Sequence, residues 1–207
     1  MKTRTDLLNH LAEKYNLQRY LEIGVQVPEL NFDKIKCPYK VGVDPSPDIW
    51  SDHGTIYEMT SDLFLEEVAY ALGYNDNQFD LIFIDGLHTA EQVKKDFEGC
   101  LKYLSPNGFI VLHDCNPLKE EHTIVPRPTE RGHWNGDVYK FAAAMPKYPF
   151  WTVDIDNGCM VVKPEKDYFR DGIAWENYIT WQDFDTNRKE LLNLISWDEF
   201  IRLDSHL

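Results

Sequence analysis

The sequence predicts an α/β protein whose core is one mostly parallel β-sheet closed by an antiparallel hairpin. Three observations carry this. Short apolar runs alternate with helical-period segments along most of the chain. Two of those runs, FDLIFID (79–85) and FIVLHD (109–114), are almost continuously apolar, as strands covered on both faces are. Late in the chain, FWTVDID (150–156) and GCMVVKP (158–164) flank Asn157-Gly158, a pair suited to the positive φ angles of a tight hairpin turn.

The elements follow in order. Thr5 to Asn16 sets Leu7, Leu8, Leu11 and Tyr15 on one helical stripe, with Thr5 as N-cap. YLEIG (20–24), KVGVD (40–44) and TIYEM (55–59) read as strands, and Leu63 to Leu72 as a helix. The stretch 25–39 carries Pro28 and Pro38 and leaves room for about two helical turns. After FDLIFID, Thr89 and Gln92 form a capping box, and Val93, Phe97, Leu101 and Leu104 keep helical spacing until Ser-Pro-Asn-Gly108 ends the helix. Strands alternating with helices imply right-handed crossovers and a Rossmann-like three-layer sandwich. The hairpin makes it a seven-stranded sheet with one antiparallel edge strand. Beyond it, Thr180 to Ile195 reads as a helix, and Ser196 with Glu199 as a second capping box. The organisation is a domain over 1–164, with 116–137 as a lid loop, and an aromatic-rich helical extension of the same domain over 165–207.

Composition narrows the function. A charge of 21 − 35 = −14 argues against a nucleic-acid partner, since phosphate binding needs a basic surface. No run approaches the roughly 18 apolar residues of a membrane span, and the first residues lack the apolar segment of a secretory signal. Cys37, Cys100, Cys115 and Cys159 lie far apart without a CxxC pair, which reads as reduced thiols in a cytoplasmic protein.

The chemistry should sit beyond the carboxyl ends of the strands. Four strands end on or beside polar residues: Glu22-Ile-Gly24, Asp44, Asp85 and His113-Asp114. Carboxylates crowded at one rim call for a cation, a sugar hydroxyl or a metal among them. Any one of them could instead simply cap the following helix.

Taken in order, YLEIG, KVGVD, Thr60-Ser-Asp62, FDLIFIDGLH, SPNGFIVLHD and the hairpin resemble the class I S-adenosylmethionine-dependent methyltransferases over roughly residues 17–164. FDLIFIDGLHTAEQVKKD with SPNGFIVLHD resembles their small-molecule branch, which acts on sugars and secondary metabolites. The resemblance implies transfer of a methyl group to a hydroxyl of a small acceptor, a sugar or glycan precursor among the candidates. It also implies site roles. Glu22 and Gly24 would line the loop around the methionine part of S-adenosylmethionine, Asp44 would accept from both ribose hydroxyls, and Ser61 and Asp62 would border the adenine. Asp85, Gly86 and His88 would form the floor between cofactor and acceptor. The loop Gly24-Val-Gln-Val-Pro28 departs from the pattern by lacking further glycines.

Relatives in this branch hold a divalent ion such as Mg²⁺ at two places that Asp85 and Asp114 match. The next position is Cys115, a poor ligand for a hard ion, so Asn116 or His88 would have to substitute. The alternative is that Asp114 caps the next loop. His88 and His113 are candidate bases for the acceptor hydroxyl, though alternation along FIVLHD could turn His113 away. In the lid, Trp134, Asn135 and Asp137 combine an aromatic face with hydrogen-bonding groups, as a sugar requires; the alternative places Trp134 in the core and Asn135-Gly136 in a turn. The tail aromatics Tyr168, Phe169, Trp175, Tyr178, Trp181 and Phe184 should pack on the domain or on a second copy in a homodimer. Two other readings share these residues. One is a non-catalytic binding module with a degraded cofactor loop. The other is a nicotinamide-dependent oxidoreductase, for which Asp44 is well placed but the G-x-G-x-x-G fingerprint is missing.

Overall fold

The computed structural model describes residues 1–46, 51–74, 78–129, 132–145, 149–164 and 179–204. Helix α1 (Arg4–Lys14) leads into strand β1 (Arg19–Ile23), then β2 (Tyr39–Asp44) and β3 (Thr55–Glu58). A helical stretch follows as α2 (Ser61–Leu63), a π-helical turn (Phe64–Val68) and α3 (Ala69–Ala71). Next come β4 (Phe79–Ile84), α4 (Ala90–Leu101), β5 (Leu104–Leu112) and α5 (Val138–Ala143). The hairpin strands are β6 (Phe150–Val153) and β7 (Cys159–Val162), and α6 (Trp181–Leu191), β8 (Leu194–Ile195) and α7 (Trp197–Asp204) close the described chain.

The sheet runs β3-β2-β1-β4-β5-β7-β6-β8. The strand that runs against the rest is β7, paired with β5 on one side and β6 on the other. The seven expected strands gain an eighth: Leu194 and Ile195 pair in parallel with Thr152 and Val153 at the edge. Period-two alternation divides the core between the faces. Ile82, Ile84, Ile110 and Leu112 point toward α4, α5, α6 and the 61–71 stretch. Leu81, Phe83, Phe109 and Val111 point toward α1, the loop after β1 and α7. This is the three-layer arrangement the alternation of elements predicts.

Four local expectations change. The cap of α1 is Thr3, whose backbone N–H and hydroxyl both reach Asp6 Oδ2, at 3.0 and 3.2 Å; Thr5 instead donates to Asn31. Ser-Pro-Asn-Gly108 does not end a helix but lies inside β5, where a register shift lets Leu104 pair with Phe79 and Phe109 with Leu81. The crossover from β1 to β2 holds only the 3₁₀ turns Pro28–Leu30 and Phe32–Lys34. Thr89 accepts from the Gln92 amide as an N-cap should, but the Gln92 side chain turns away to the 61–62 segment, so the box is half made. The second box, Ser196 with Glu199, is complete in both directions.

Of the tail aromatics, Phe184 is fully buried against the α5 face and Trp181 packs beside it, while Tyr168, Phe169, Trp175 and Tyr178 lie outside the described residues. The four cysteines are free and buried. Among the described residues, no helix is long and apolar enough to cross a membrane.

Candidate active site at the strand ends

Backbone bonds lace the carboxyl ends of the central strands together. Gly24 N–H donates to Val43 O at 2.8 Å, Asp85 N–H to Ile23 O at 2.8 Å, and His113 N–H to Ile84 O at 3.1 Å. Gly24 has φ +87°, and a Cβ there would lie 2.2 Å from the Asp85 carbonyl oxygen. Packing of β1 against the loop after β4 is therefore enough to require glycine at this position.

Around this seam three carboxylates, an arginine and two histidines converge. His113, buried at the end of β5, sets Nδ1 3.0 Å from Asp85 Oδ1 and 3.4 Å from Asp114 Oδ1. Its Nε2 lies 3.8 Å from Asp156 Oδ1 and 3.3 Å from Arg4 Nη1. The other oxygen of Asp85 faces Arg4 Nε at 3.9 Å. His88 Nδ1 is 2.8 Å from Asp114 Oδ2, although outside hydrogen-bond alignment, and its Nε2 is 3.6 Å from Asp85. Burial alone would lower the pKa of both imidazoles; the facing carboxylates outweigh it and raise both, His113 strongly. The reciprocal effect holds Asp114 below the usual carboxylate range, because the charge of His113 and the bond from it outweigh desolvation. The nearby imidazole of His113 brings Asp156 down to about 2 against a desolvation that opposes it.

The segment 134–137 encloses His88. Trp134 stacks on the imidazole, with centroids 5.0 Å apart and planes 4° from parallel, and its indole N–H donates to Ile124 O at 2.7 Å. Trp134 thus lies over His88, tied back to Ile124. Asn135 is fully buried and donates to Asp114 Oδ1 at 2.6 Å. Gly136 packs against the His88 backbone. Asp137 donates its N–H to His88 O and accepts the Ala90 N–H, capping α4. Of the residues expected to meet a sugar, Asn135 thus turns its Nδ2 to Asp114 and Asp137 caps α4.

The remaining predicted residues divide. Glu22 does not line the rim. It is 2% exposed and accepts from Tyr20 Oη at 2.6 Å and Asn31 Nδ2 at 3.1 Å, and desolvation lifts its pKa to about 8. Asp44, at the end of β2, accepts from the Gln26 N–H at 2.8 Å and the Ser46 N–H at 2.9 Å, one on each oxygen. Ser61 and Asp62 are joined through Gln92 Nε2, at 3.3 and 2.7 Å, which also reaches Asp96 at 3.0 Å. Gly86 sits over Asp96, whose buried Oδ2 has no hydrogen-bond partner among the described residues and whose pKa desolvation raises to about 6. Sequence reasoning missed Arg4, Asp156 and Asp96. Asp156 was legible only as part of the hairpin turn, and Arg4 only as a charge at a helix start.

Asp85, His113 and Asp114 present ligand atoms that all lie within 4.8 Å of one another, a set able to hold a divalent ion. The donors are two carboxylates and an imidazole, so the fit is to a borderline ion such as Mn²⁺ more than to Mg²⁺. Asn116, offered above as a substitute ligand, is turned to Asp154 and Arg188. Cys115 is buried with its sulfur on backbone carbonyls. An open groove of about 670 Å³ lies to one side, along α1 and residues 30–36, and meets this cluster only at Arg4 and Asp156.

Residues 38–115 match the family described as a methyltransferase domain. A search of curated proteins finds no match. Among solved structures, an O-methyltransferase from Bacillus cereus in complex with SAH is 19% identical, with a TM-score of 0.52 over 76% of this chain and 79% of that one. The SAH-bound methyltransferase PaMTH1 from Podospora anserina is 20% identical, with a TM-score of 0.53 over 80% of each chain. The O-methyltransferase TomG from Streptomyces achromogenes, involved in tomaymycin synthesis and solved with SAM, is 16% identical, with a TM-score of 0.53 over 77% of this chain and 78% of that one. The fold of this chain is that of the class I methyltransferases.

Proposed function

We propose that this protein transfers a methyl group from S-adenosylmethionine to a hydroxyl of a small-molecule acceptor. The observation that carries the reading is the meeting of Asp85, His88, His113 and Asp114 at one strand-end rim. Asp44 closes β2 on the same edge of the sheet.

Bound S-adenosylmethionine supplies an electrophilic methyl on a sulfonium, whose positive charge disappears on transfer. Asp44 holds the ribose: each carboxylate oxygen accepts one backbone N–H and keeps a lone pair for a hydroxyl. Ser61 and Asp62, fixed by Gln92, border the adenine, and the backbones of Gly24 and Gly86 line the space between. His88 takes the acceptor proton on Nε2, with Trp134 stacked on the ring to hold its plane. Asp85 and His113 hold the charge around the attacking oxygen. A divalent ion held by Asp85, His113 and Asp114 would lower the pKa of the acceptor hydroxyl. Most of the acceleration in such an in-line transfer comes from alignment of the two reactants. The acceptor is a hydroxylated small molecule. A sugar draws support only from the Trp134 ring, which already stacks on His88.

Calorimetry with S-adenosylmethionine tests the reading. Binding is expected for the wild type, and Asp44→Ala should weaken it tenfold or more, about 1.4 kcal/mol or above for lost bonds to a charged group. Unchanged affinity would remove Asp44 from the ribose site. A non-catalytic module of the same fold is favoured by one feature, the 3₁₀-only loop after β1 with Gln26 tied to Asp44. No heat at millimolar cofactor would leave that reading standing and sink the enzyme.

A further inference from the structure

We propose that Arg4 is a built-in counter-cation of the Asp85–His113–Asp114 donor set, so that Arg4 insertion and divalent-ion binding exclude one another. Arg4 begins α1, far from these residues in sequence, yet α1 runs along the sheet so that its first turn reaches the strand ends. The arginine is held there twice. Its backbone N–H donates to Asp156 Oδ2 at 3.1 Å, and its guanidinium lies 3.6 Å from the same carboxylate. From that anchor it places Nε 3.9 Å from Asp85 Oδ2 and Nη1 3.3 Å from His113 Nε2. Both oxygens of Asp85 are consequently turned to side chains of this protein, Oδ1 to His113 and Oδ2 to Arg4.

A divalent ion entering this set would draw on Asp85 and bring two positive charges beside a fixed guanidinium. Repulsion between like charges a few ångströms apart in a partly buried site is large compared with thermal energy. The ion can therefore load fully only when Arg4 withdraws toward Asp156 or leaves with the start of α1. Asp85 is thus flanked by the imidazoles of His88 and His113 on Oδ1 and by Arg4 on Oδ2, and Asp156 holds the same Arg4, so the guanidinium is the fixed positive charge of this set. This goes beyond the methyl-transfer reading. Its test contains neither methyl donor nor acceptor, so one can fail without the other.

The experiment is Mn²⁺ binding to the full chain, by electron paramagnetic resonance of free Mn²⁺ and by calorimetry, with circular dichroism to check the fold. The wild type should bind weakly, Arg4→Ala at least tenfold more tightly, and Arg4→Lys close to the wild type because a cation is kept. Adding Asp114→Asn to Arg4→Ala should abolish the gain and so locate the ion. Arg4→Ala binding no tighter than the wild type would overturn the proposal. So would Arg4→Lys matching Arg4→Ala, or a gain that survives Asp114→Asn.

Discussion

Replacing Glu22 by Gln separates a buried acid from a ligand-binding one. In the folded chain Glu22 titrates near 8 because burial penalises its charge, against an ordinary value of 4.5. A carboxyl raised in this way binds its proton more tightly folded than unfolded. Its contribution to stability is complete below about 4.5 and is lost as pH rises through about 8. The difference, 8 − 4.5 = 3.5, corresponds to about 5 kcal/mol of stability forfeited across that window. Gln cannot ionise, and its carbonyl can still accept from Tyr20 and Asn31, while its amide must find an acceptor or cost about 1–2 kcal/mol. At pH 5.5 the variant should therefore match the wild type or fall slightly below it. At pH 9 it should be more stable by about 3 kcal/mol. Urea unfolding at several pH values measures both curves. Other groups that titrate in the range, Asp96 among them, act in both proteins, so the difference between the curves is what counts. Parallel curves, or a variant less stable at pH 9, would refute the assignment of Glu22 as a neutral core acid at physiological pH.

Two further expectations concern the frame around the site. Gly136→Ala should destabilise by about 3 kcal/mol or more, since φ is +64° and the new Cβ would lie 1.8 Å from His88 O, a backbone atom. Gly73→Ala, at φ +83° with open space around it, is the control and should cost only about 1 kcal/mol. Equal urea midpoints for the two would show that the contact with His88 is soft. Asp204→Asn should cost about 2 kcal/mol, less than a fully enclosed pair, because His10 and Lys14 remain within reach of water. Limited proteolysis should then cut near α7 sooner than in the wild type, and an unchanged digestion pattern would contradict that role.

How much of this was legible in the sequence depends on range. FDLIFID and FIVLHD declared central strands because both faces of each are covered, and that needs only local composition. The hairpin followed from Asn157-Gly158, whose turn brings β7 beside β5. Asp85, His88 and Asp114 fell at strand ends and did converge. What pattern alone does not carry is of another kind. Glu22 sits one residue from the end of β1, and period-two alternation turns it under the sheet, toward Tyr20 and Asn31. Asn135 and Asp137 have the groups a sugar would want, but no local signal says that a neighbouring backbone and Asp114 claim them first. Arg4 and Asp156 meet His113 only because a helix at one end of the chain and a turn near the other close over the same rim. Such pairings are fixed by topology and charge, which a one-dimensional pattern does not carry.

Helix α1 spans about 16 Å from its first residue to its last, 11 residues at about 1.5 Å each. One end of this rod carries Arg4 to Asp85, and the other is gripped by Asp204 through His10, Lys14 and Tyr15. A rigid rod pinned at its far end behaves as a lever. An alteration that loosens α7 would tilt the opposite tip and shift the charge balance at the rim, although nothing beside Asp85 had been touched.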